Sequence, residues 1–202
     1  MTADSAPRLP APDRSADLTA KARIRNAAFS LHARQGEANT TLREVAQAAG
    51  VTHGLVGHHF KNKDGLRRAV QEYMLVLLRE ALDSVPIEGT PADIRRARDA
   101  GVARMYTEHP DYLPYLRRAL LDPDHVNTEL LDTLADFTLD QVRTMRAEGV
   151  AAASSAEDVQ ALAIILRELA PRLLEPAIGQ LWRRLAGPDA PLPTIDIRVH
   201  PR

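Results

Sequence analysis

The chain has 202 residues, 45% of them apolar, and a formal charge of -1, which suits one or two folded domains with a substantial core and excludes a disordered or collagen-like chain. It contains no cysteine, which excludes disulfides, thiolate metal sites and a cysteine nucleophile. No basic-then-apolar leader and no apolar run long enough to span a bilayer occurs, so the expected location is the cytoplasm, with no membrane contact.

The first 17 residues hold Pro7, Pro10 and Pro12 among small and charged residues and read as a flexible arm. No proline then occurs until Pro86. The intervening stretch predicts helices at about 18 to 36, 42 to 49, 53 to 60 and 64 to 84, the last long and linking.

Residues 41 to 66, TLREVAQAAGVTHGLVGHHFKNKDGL, carry the strongest local signals. Thr41 followed three residues later by Glu44 predicts a capping box, in which the hydroxyl accepts from the Glu44 backbone N–H and the carboxylate accepts from the Thr41 N–H. Leu42, Val45, Ala46 and Ala49 recur at helical spacing and give the helix one buried face. The two alanines are small enough to let another helix cross closely. Gly50 ends the helix in the left-handed conformation, Val51 packs back on the core, and Thr52 caps a second helix. In that second helix Val56 and Phe60 point inward, which leaves His53, Gly54, Gly57 and His58 outward. A capped helix, a glycine turn and a second short helix form the order in which helix-turn-helix proteins present the first turns of the second helix to base edges, so the outward positions are the candidate readers. Two glycines in so short a helix each cost up to about 1 kcal/mol relative to alanine, which predicts firm order only when docked on DNA.

The charges support this reading. Residues 14 to 80 hold eleven Lys and Arg against six acids, a local +5 that leaves -6 for the rest of the chain. Phosphate binding needs a local positive face rather than a basic whole.

The run from Thr41 to Leu66, preceded by the amphipathic segment IRNAAFSLHARQG at 24 to 36, resembles the amino-terminal domain of TetR-type bacterial transcriptional regulators. The resemblance rests on the T-x-R-E-x-A-x-x-A-G-V-T block, on Phe60 and Lys63 three residues apart, and on Asp64 and Leu66 opening the next helix. It implies that Thr41 and Arg43 approach DNA from the first helix, that residues 53 to 59 enter the groove, and that Lys63 meets a phosphate. The implied DNA-binding set is Thr41, Arg43, Thr52, His53, Gly54, Leu55, Gly57, His58, His59 and Lys63. The chain departs from the family pattern at Gly57, where an aromatic residue is usual, and at His59, where a tyrosine or similar is usual.

Beyond the head, Pro86 to Pro91 reads as a hinge or loop. Pro91 stands where a helix start tolerates it, and Ile94, Gly101, Val102, Met105 and Tyr106 share one side of a helix to about 107. A shorter helix is expected from about 111, and a long one from Asp124 to near Gly149 with the stripe Val126, Leu130, Leu134, Phe137, Gln141 and Met145. Two further helices, 156 to 174 and 176 to 186, are expected to pack as a pair, with Val159, Leu162, Leu166 and Leu173 on one face and Ile178, Leu181, Trp182 and Leu185 on the other. The tail from Gly187 holds four prolines and one short alternating run, TIDIRVH, and is expected to be extended.

The expected fold is therefore all-α, with a helix-turn-helix domain at 18–66 and a helical effector-binding and dimerisation domain at 67–186. The family resemblance implies a ligand pocket and a dimer interface in the second domain. Candidates to line an apolar pocket are Gly101, Met105, Tyr106, Tyr112, Tyr115, Phe137 and Met145, with Arg98, Arg117 or Gln141 as polar anchors for a small apolar effector. Leu162, Leu166, Ile178, Leu181 and Trp182 are the candidate interface, with a second copy of the chain as the partner.

His53, His58 and His59 invite a metal reading, but consecutive histidines in a helix point about 100° apart and no carboxylate completes the set, so no metal or other cofactor is expected. With no phosphate-cradling glycine loop and no nucleophile elbow, catalysis is not expected. The expected function is a ligand-responsive repressor that binds a pseudo-palindromic, double-stranded DNA operator as a homodimer. The alternatives are a DNA-binding regulator without a small-molecule effector and, from another class, an all-α partner-binding module or enzyme.

Overall fold

The computed structural model describes residues 19–122, 126–151, 153, 155–195, 197 and 199. The expected amino-terminal arm lies outside the described residues, as do Asp124 and part of the alternating run in the tail. Among the described residues there are eight helices and no strand: α1 (Ala20–Gln35), α2 (Leu42–Ala49), α3 (His53–Phe60), α4 (Lys63–Asp83), α5 (Pro91–Glu108), α6 (Tyr112–Leu121), α7 (Thr128–Ala147) and α8 (Glu157–Ala186). Among the described residues no helix is long and apolar enough to cross a membrane.

Local capping chemistry sets most of the boundaries. Thr19, Thr52 and Asn62 each accept from a backbone N–H in the first turn of α1, α3 and α4, while Thr41 and Thr90 form capping boxes with Glu44 and Asp93. Each such cap is worth about 1 kcal/mol. Thr90 also precedes Pro91, which opens α5 where its missing N–H costs nothing. Helix α7 is capped by Asn127 and starts at Thr128, so Val126 lies before it and is exposed. Its buried side is Leu130, Leu134, Phe137 and Val142, with Gln141 and Met145 half-buried at the margin.

Helix α1 is the hub. It packs against α2, α3 and α4 on one side and against α6 on the other, and its buried Ile24, Ala28, Phe29, His32 and Ala33 enter one continuous core. Phe29 meets Tyr112 edge-on and Tyr115 at a tilt, and His32 stacks on Tyr115. Arg118 of α6 donates from Nε to the Ala33 carbonyl at 3.0 Å and from Nη2 to the Arg34 carbonyl at 2.5 Å, satisfying carbonyls that the end of α1 leaves open. Ser30 donates to Asp111 across the same seam. Helix α4 then carries the fold onward to α5, where Gly101 permits the crossing: a Cβ there would stand 2.7 Å from the Ala81 carbonyl oxygen.

The expected pair of terminal helices is instead one helix, α8, which runs through Pro171 and Pro176 without a break. Proline inside a helix removes a donor and frees the carbonyl four residues earlier. For Pro176 that carbonyl is Arg172, and Arg117 of α6 supplies the replacement, donating from Nη2 to Arg172 at 3.1 Å and from Nε to Leu173 at 3.0 Å. The donor lies 56 residues upstream of Leu173 in the sequence.

 Arg117→Ala should cost about 1 to 3 kcal/mol by leaving the Arg172 carbonyl without a partner. In a double-mutant cycle, Pro176→Ala should recover part of that loss by restoring the N–H; a loss that Pro176→Ala leaves unchanged contradicts the assignment.

His32 is buried at 2% exposure and its Nδ1 has no hydrogen-bond partner among the described residues. Burial, with a smaller contribution from the Lys63 charge, lowers its pKa to about 4. Because the folded-state value lies below the unfolded one, the unfolded chain binds the proton first, and stability falls as the pH drops through the unfolded value. Chemical denaturation should show a loss of about 3 kcal/mol from this group between about pH 7.5 and 4, and His32→Leu should flatten that slope. Equal slopes in the two proteins would contradict it.

Candidate nucleic-acid interface

The α2–α3 unit is built by contacts that close within a few residues. The Glu44 N–H donates to Thr41 Oγ1 at 3.2 Å and the Thr41 N–H donates to Glu44 Oε2 at 2.7 Å, so the capping box is complete. That backbone bond, with the Thr41 hydroxyl, holds the Glu44 carboxyl below its ordinary range. Gly50 follows with φ 64° and ψ 40°, and its N–H bonds back to the last turn of α2. Only a residue without a Cβ adopts that conformation at no cost. Val51 packs against the core, and the Leu55 N–H donates to Thr52 Oγ1 at 3.4 Å to start α3.

Helix α3 runs over His53–Phe60 in spite of its two glycines. Val56 and Phe60 are buried in the shared core, and burial of two such side chains, worth about 1.5 to 3 kcal/mol each, outweighs the glycine cost. The opposite side of the unit is solvent-facing: Thr41, Arg43, Thr52, His53, Gly54 and His58 are exposed, while Leu55, Gly57 and His59 are half-buried. His58 and His59 meet edge-on rather than converging on one point. Among the described residues no group of three or more His, Cys, Asp or Glu could hold a metal ion.

Gly54 and Gly57 have ordinary helical φ, and a Cβ added at either would meet nothing within 4 Å. The chain's own packing therefore gives no reason for glycine at these positions.

The α3–α4 junction carries a feature that the sequence did not signal. Lys61 has φ 64° and ψ -56°, the positive-φ γ-turn geometry, closed by the Asn62 N–H donating to the Phe60 carbonyl at 2.7 Å. This turn is strained for a residue with a Cβ. Gly65 makes it possible, since a Cβ there would collide with the Phe60 carbonyl at 2.1 Å. The turn leaves Lys61 exposed beside α3, an added cation at the edge of the unit. Lys63 is half-buried and donates from Nζ to the Ala38 carbonyl at 3.2 Å, in the segment that leads into α2. An ammonium has three donors, so two remain for a phosphate.

The residues proposed for an effector are divided by the structure. Gly101 is closed over by Ala81 and Val85, Tyr112 donates from its hydroxyl to the Met74 carbonyl at 3.2 Å, and Arg117 is engaged on α8, so packing accounts for these three without a ligand. Met105 is buried in the core and Tyr106 lies half-buried beneath the Arg172 guanidinium. Phe137 is buried beside Arg79, and Arg98 donates to Gln141 Oε1 at 2.6 Å between α5 and α7. Tyr115 lines a different cavity, between the head and α6–α7.

Residues 24–70 match the family model for bacterial regulatory proteins of the tetR family. The chain is 48% identical over 68 residues to the HTH-type transcriptional regulatory protein RaaS of Mycobacterium tuberculosis, a match that covers 34% of this chain and 32% of that protein. It is 42% identical over 79 residues to an HTH-type transcriptional repressor of the same organism, covering 39% of this chain and 40% of the relative. The chain thus spans about a third to two fifths of the curated relatives it matches. Among solved structures, the TetR family protein CprB from S. coelicolor A3(2) aligns with a TM-score of 0.55 at 22% identity, covering 82% of this chain and 86% of that one, a likeness of fold.

The open space at Gly54 and Gly57 yields a paired expectation. Alanine at either position should stabilise the free protein by about 0.5 to 1 kcal/mol, yet weaken DNA binding if the glycines exist for close approach of the duplex. Thermal melts and binding isotherms on the same variants check this; a variant that gains stability and keeps full affinity removes the functional reason for that glycine.

Proposed function

We propose, from the match of residues 24–70 to the model for bacterial regulatory proteins of the tetR family, that the chain is a transcriptional repressor of that family that binds a pseudo-palindromic operator as a homodimer. The observation that carries the reading is the capped α2–turn–α3 unit, which buries Val56 and Phe60 and leaves Arg43, His53, Gly54 and His58 facing solvent. In this reading α3 enters the major groove, Arg43, His53 and His58 reach base edges, and Thr41 and Lys63 hold phosphates.

Duplex-binding isotherms across a salt series test the proposal. Affinity should fall steeply with salt, and Lys63→Ala should weaken binding to every sequence and lower the salt slope by about 1. Alanine at Arg43, His53 or His58 should instead reduce the preference for the operator over random duplex, by about 1 to 3 kcal/mol per lost base contact. Salt-insensitive or absent binding contradicts the reading.

Dimerisation is supported by α8, which leaves Leu162, Leu166, Leu174, Leu181 and Leu185 exposed, the last two at 59% and 71%. At 100° per residue these five fall on one side of the helix. Ile178 is half-buried, and Trp182 packs under the tail, donating from Nε1 to the Pro191 carbonyl at 2.9 Å. A leucine row of this length on one helix fits a second copy of the same helix. Leu166→Glu or Leu181→Glu should give folded monomers that bind a full operator poorly, because one head neutralises half the phosphates. Sedimentation of wild-type protein as a monomer at micromolar concentration, together with full operator binding, contradicts the dimer.

A small apolar effector between α5 and α7 is the remaining part of the proposal. Its support is the half-buried Arg98–Gln141 pair beside Phe137 and Met145, an arrangement of polar anchors at an apolar wall. Ligand coupling of this kind typically changes affinity by about 5- to 150-fold.

A further inference from the structure

Lys61 and Asn62 alone join α3 (His53–Phe60) to α4 (Lys63–Asp83). So short a link must redirect the chain in a single tight turn. The Lys61 N–H closes the end of α3 on the Gly57 carbonyl at 2.9 Å, and the Asn62 N–H donates to the Phe60 carbonyl at 2.7 Å. The Asn62 side chain then accepts from the Gly65 N–H at 2.8 Å to start α4, and Gly65 leaves the Phe60 carbonyl the room that a Cβ would fill. The connection between the helices demands this turn.

It does not demand a lysine at the apex. Lys61, with φ 64° and ψ -56°, is the one non-glycine among the described residues with a positive φ. Glycine takes such a backbone without a Cβ penalty, and glycine stands at the other positive-φ positions, 36, 50, 89, 149 and 187. A lysine here strains the folded chain, and strain of this kind marks places where the side chain has a use.

That use is not inside the protein. Lys61 is exposed, and among the described residues no hydrogen bond or ion pair holds its ammonium. The neighbouring cations differ: Lys63 is half-buried and donates to the Ala38 carbonyl, and Arg67 is shared among Glu37, Asp64 and Glu129. The dipole of α3 favours a cation at its carboxy-terminal end, but at an exposed position salt screens that gain. Lys61 stands seven residues after the exposed Gly54, which is two helical turns on the same side of α3.

We propose that Lys61 pairs with a backbone phosphate of the duplex at the carboxy-terminal end of α3, and that the strained turn sets its ammonium out beside the reading face. The proposal rests on the DNA-binding reading of the α2–α3 unit. It adds a contact at the end of α3 opposite His53, so that α3 is fixed in the groove at both ends. Such a contact sets register and carries no base preference of its own.

The test titrates the full chain with a random-sequence duplex of about 20 base pairs across a salt series, beside thermal melts of the same proteins at physiological salt. Lys61→Gln keeps the backbone strain and removes the charge. It should lower the slope of log affinity against log salt by about 0.9 for each phosphate lost, with Tm unchanged. Lys61→Gly removes both charge and strain. It should lower the slope equally and raise Tm by about 2 °C or more, net of the added freedom of the unfolded chain. Lys61→Arg should keep the wild-type slope and Tm. An unchanged slope in Lys61→Gln, or a Tm of Lys61→Gly at or below that of wild type, would overturn the proposal. Salt-insensitive or absent binding by the wild-type protein sinks the DNA reading and this contact together, whereas salt-sensitive wild-type binding with an unchanged Lys61→Gln slope sinks this contact alone.

Discussion

The seam between α1 and α6 is the constraint on which the rest of the structure depends. Helix α1 belongs to the head by its contacts with α2 and α3, yet its other side is fixed to α6 by Phe29 against Tyr112 and Tyr115 and by the Arg118 fork. A head hung only from the long helix α4 could swing about one connection. Two attachments, α4 and the α1–α6 seam, fix its orientation. That matters for a dimer, because two heads read half-sites about one DNA turn apart only if each is held at a set angle.

The seam is also where the fold places its least satisfied polar groups. His32, Gln71 and Tyr115 are buried there with side-chain atoms that have no hydrogen-bond partner by geometry, although the Gln71 side chain is close enough to Tyr115 to act on its hydroxyl. Burial raises the Tyr115 pKa to about 12 and lowers that of His32, so both are neutral near pH 7. Such groups destabilise a closed junction, and they are the natural place for a ligand or a change of state to act on the angle of the head.

What could be read from the sequence follows the range of the interactions. The α2–α3 unit was legible because each signal acts within a few residues: Thr41 with Glu44, Gly50 ending its own helix, Thr52 capping the next. The continuity of α8 was not. Pro171 and Pro176 read locally as a break between two helices, and the donor that replaces the missing N–H of Pro176 comes from Arg117 in α6. The start of α7 was placed too early because the apolar stripe was extended back to Val126, whereas Asn127 supplies the cap. The strained turn at Lys61 left a trace only in Gly65, whose necessity depends on the position of the Phe60 carbonyl. The junction cavity joins residues from both halves of the chain, and no spacing within one helix reveals it.

Hydroxyl-radical footprinting of the protein on a selected operator duplex tests the central claim most directly. Two heads held at fixed angles should protect two patches related by a dyad, with centres about one helical turn, or a whole number of turns, apart on one face of the duplex. A single protected patch, or uniform weak protection independent of sequence, would contradict the account.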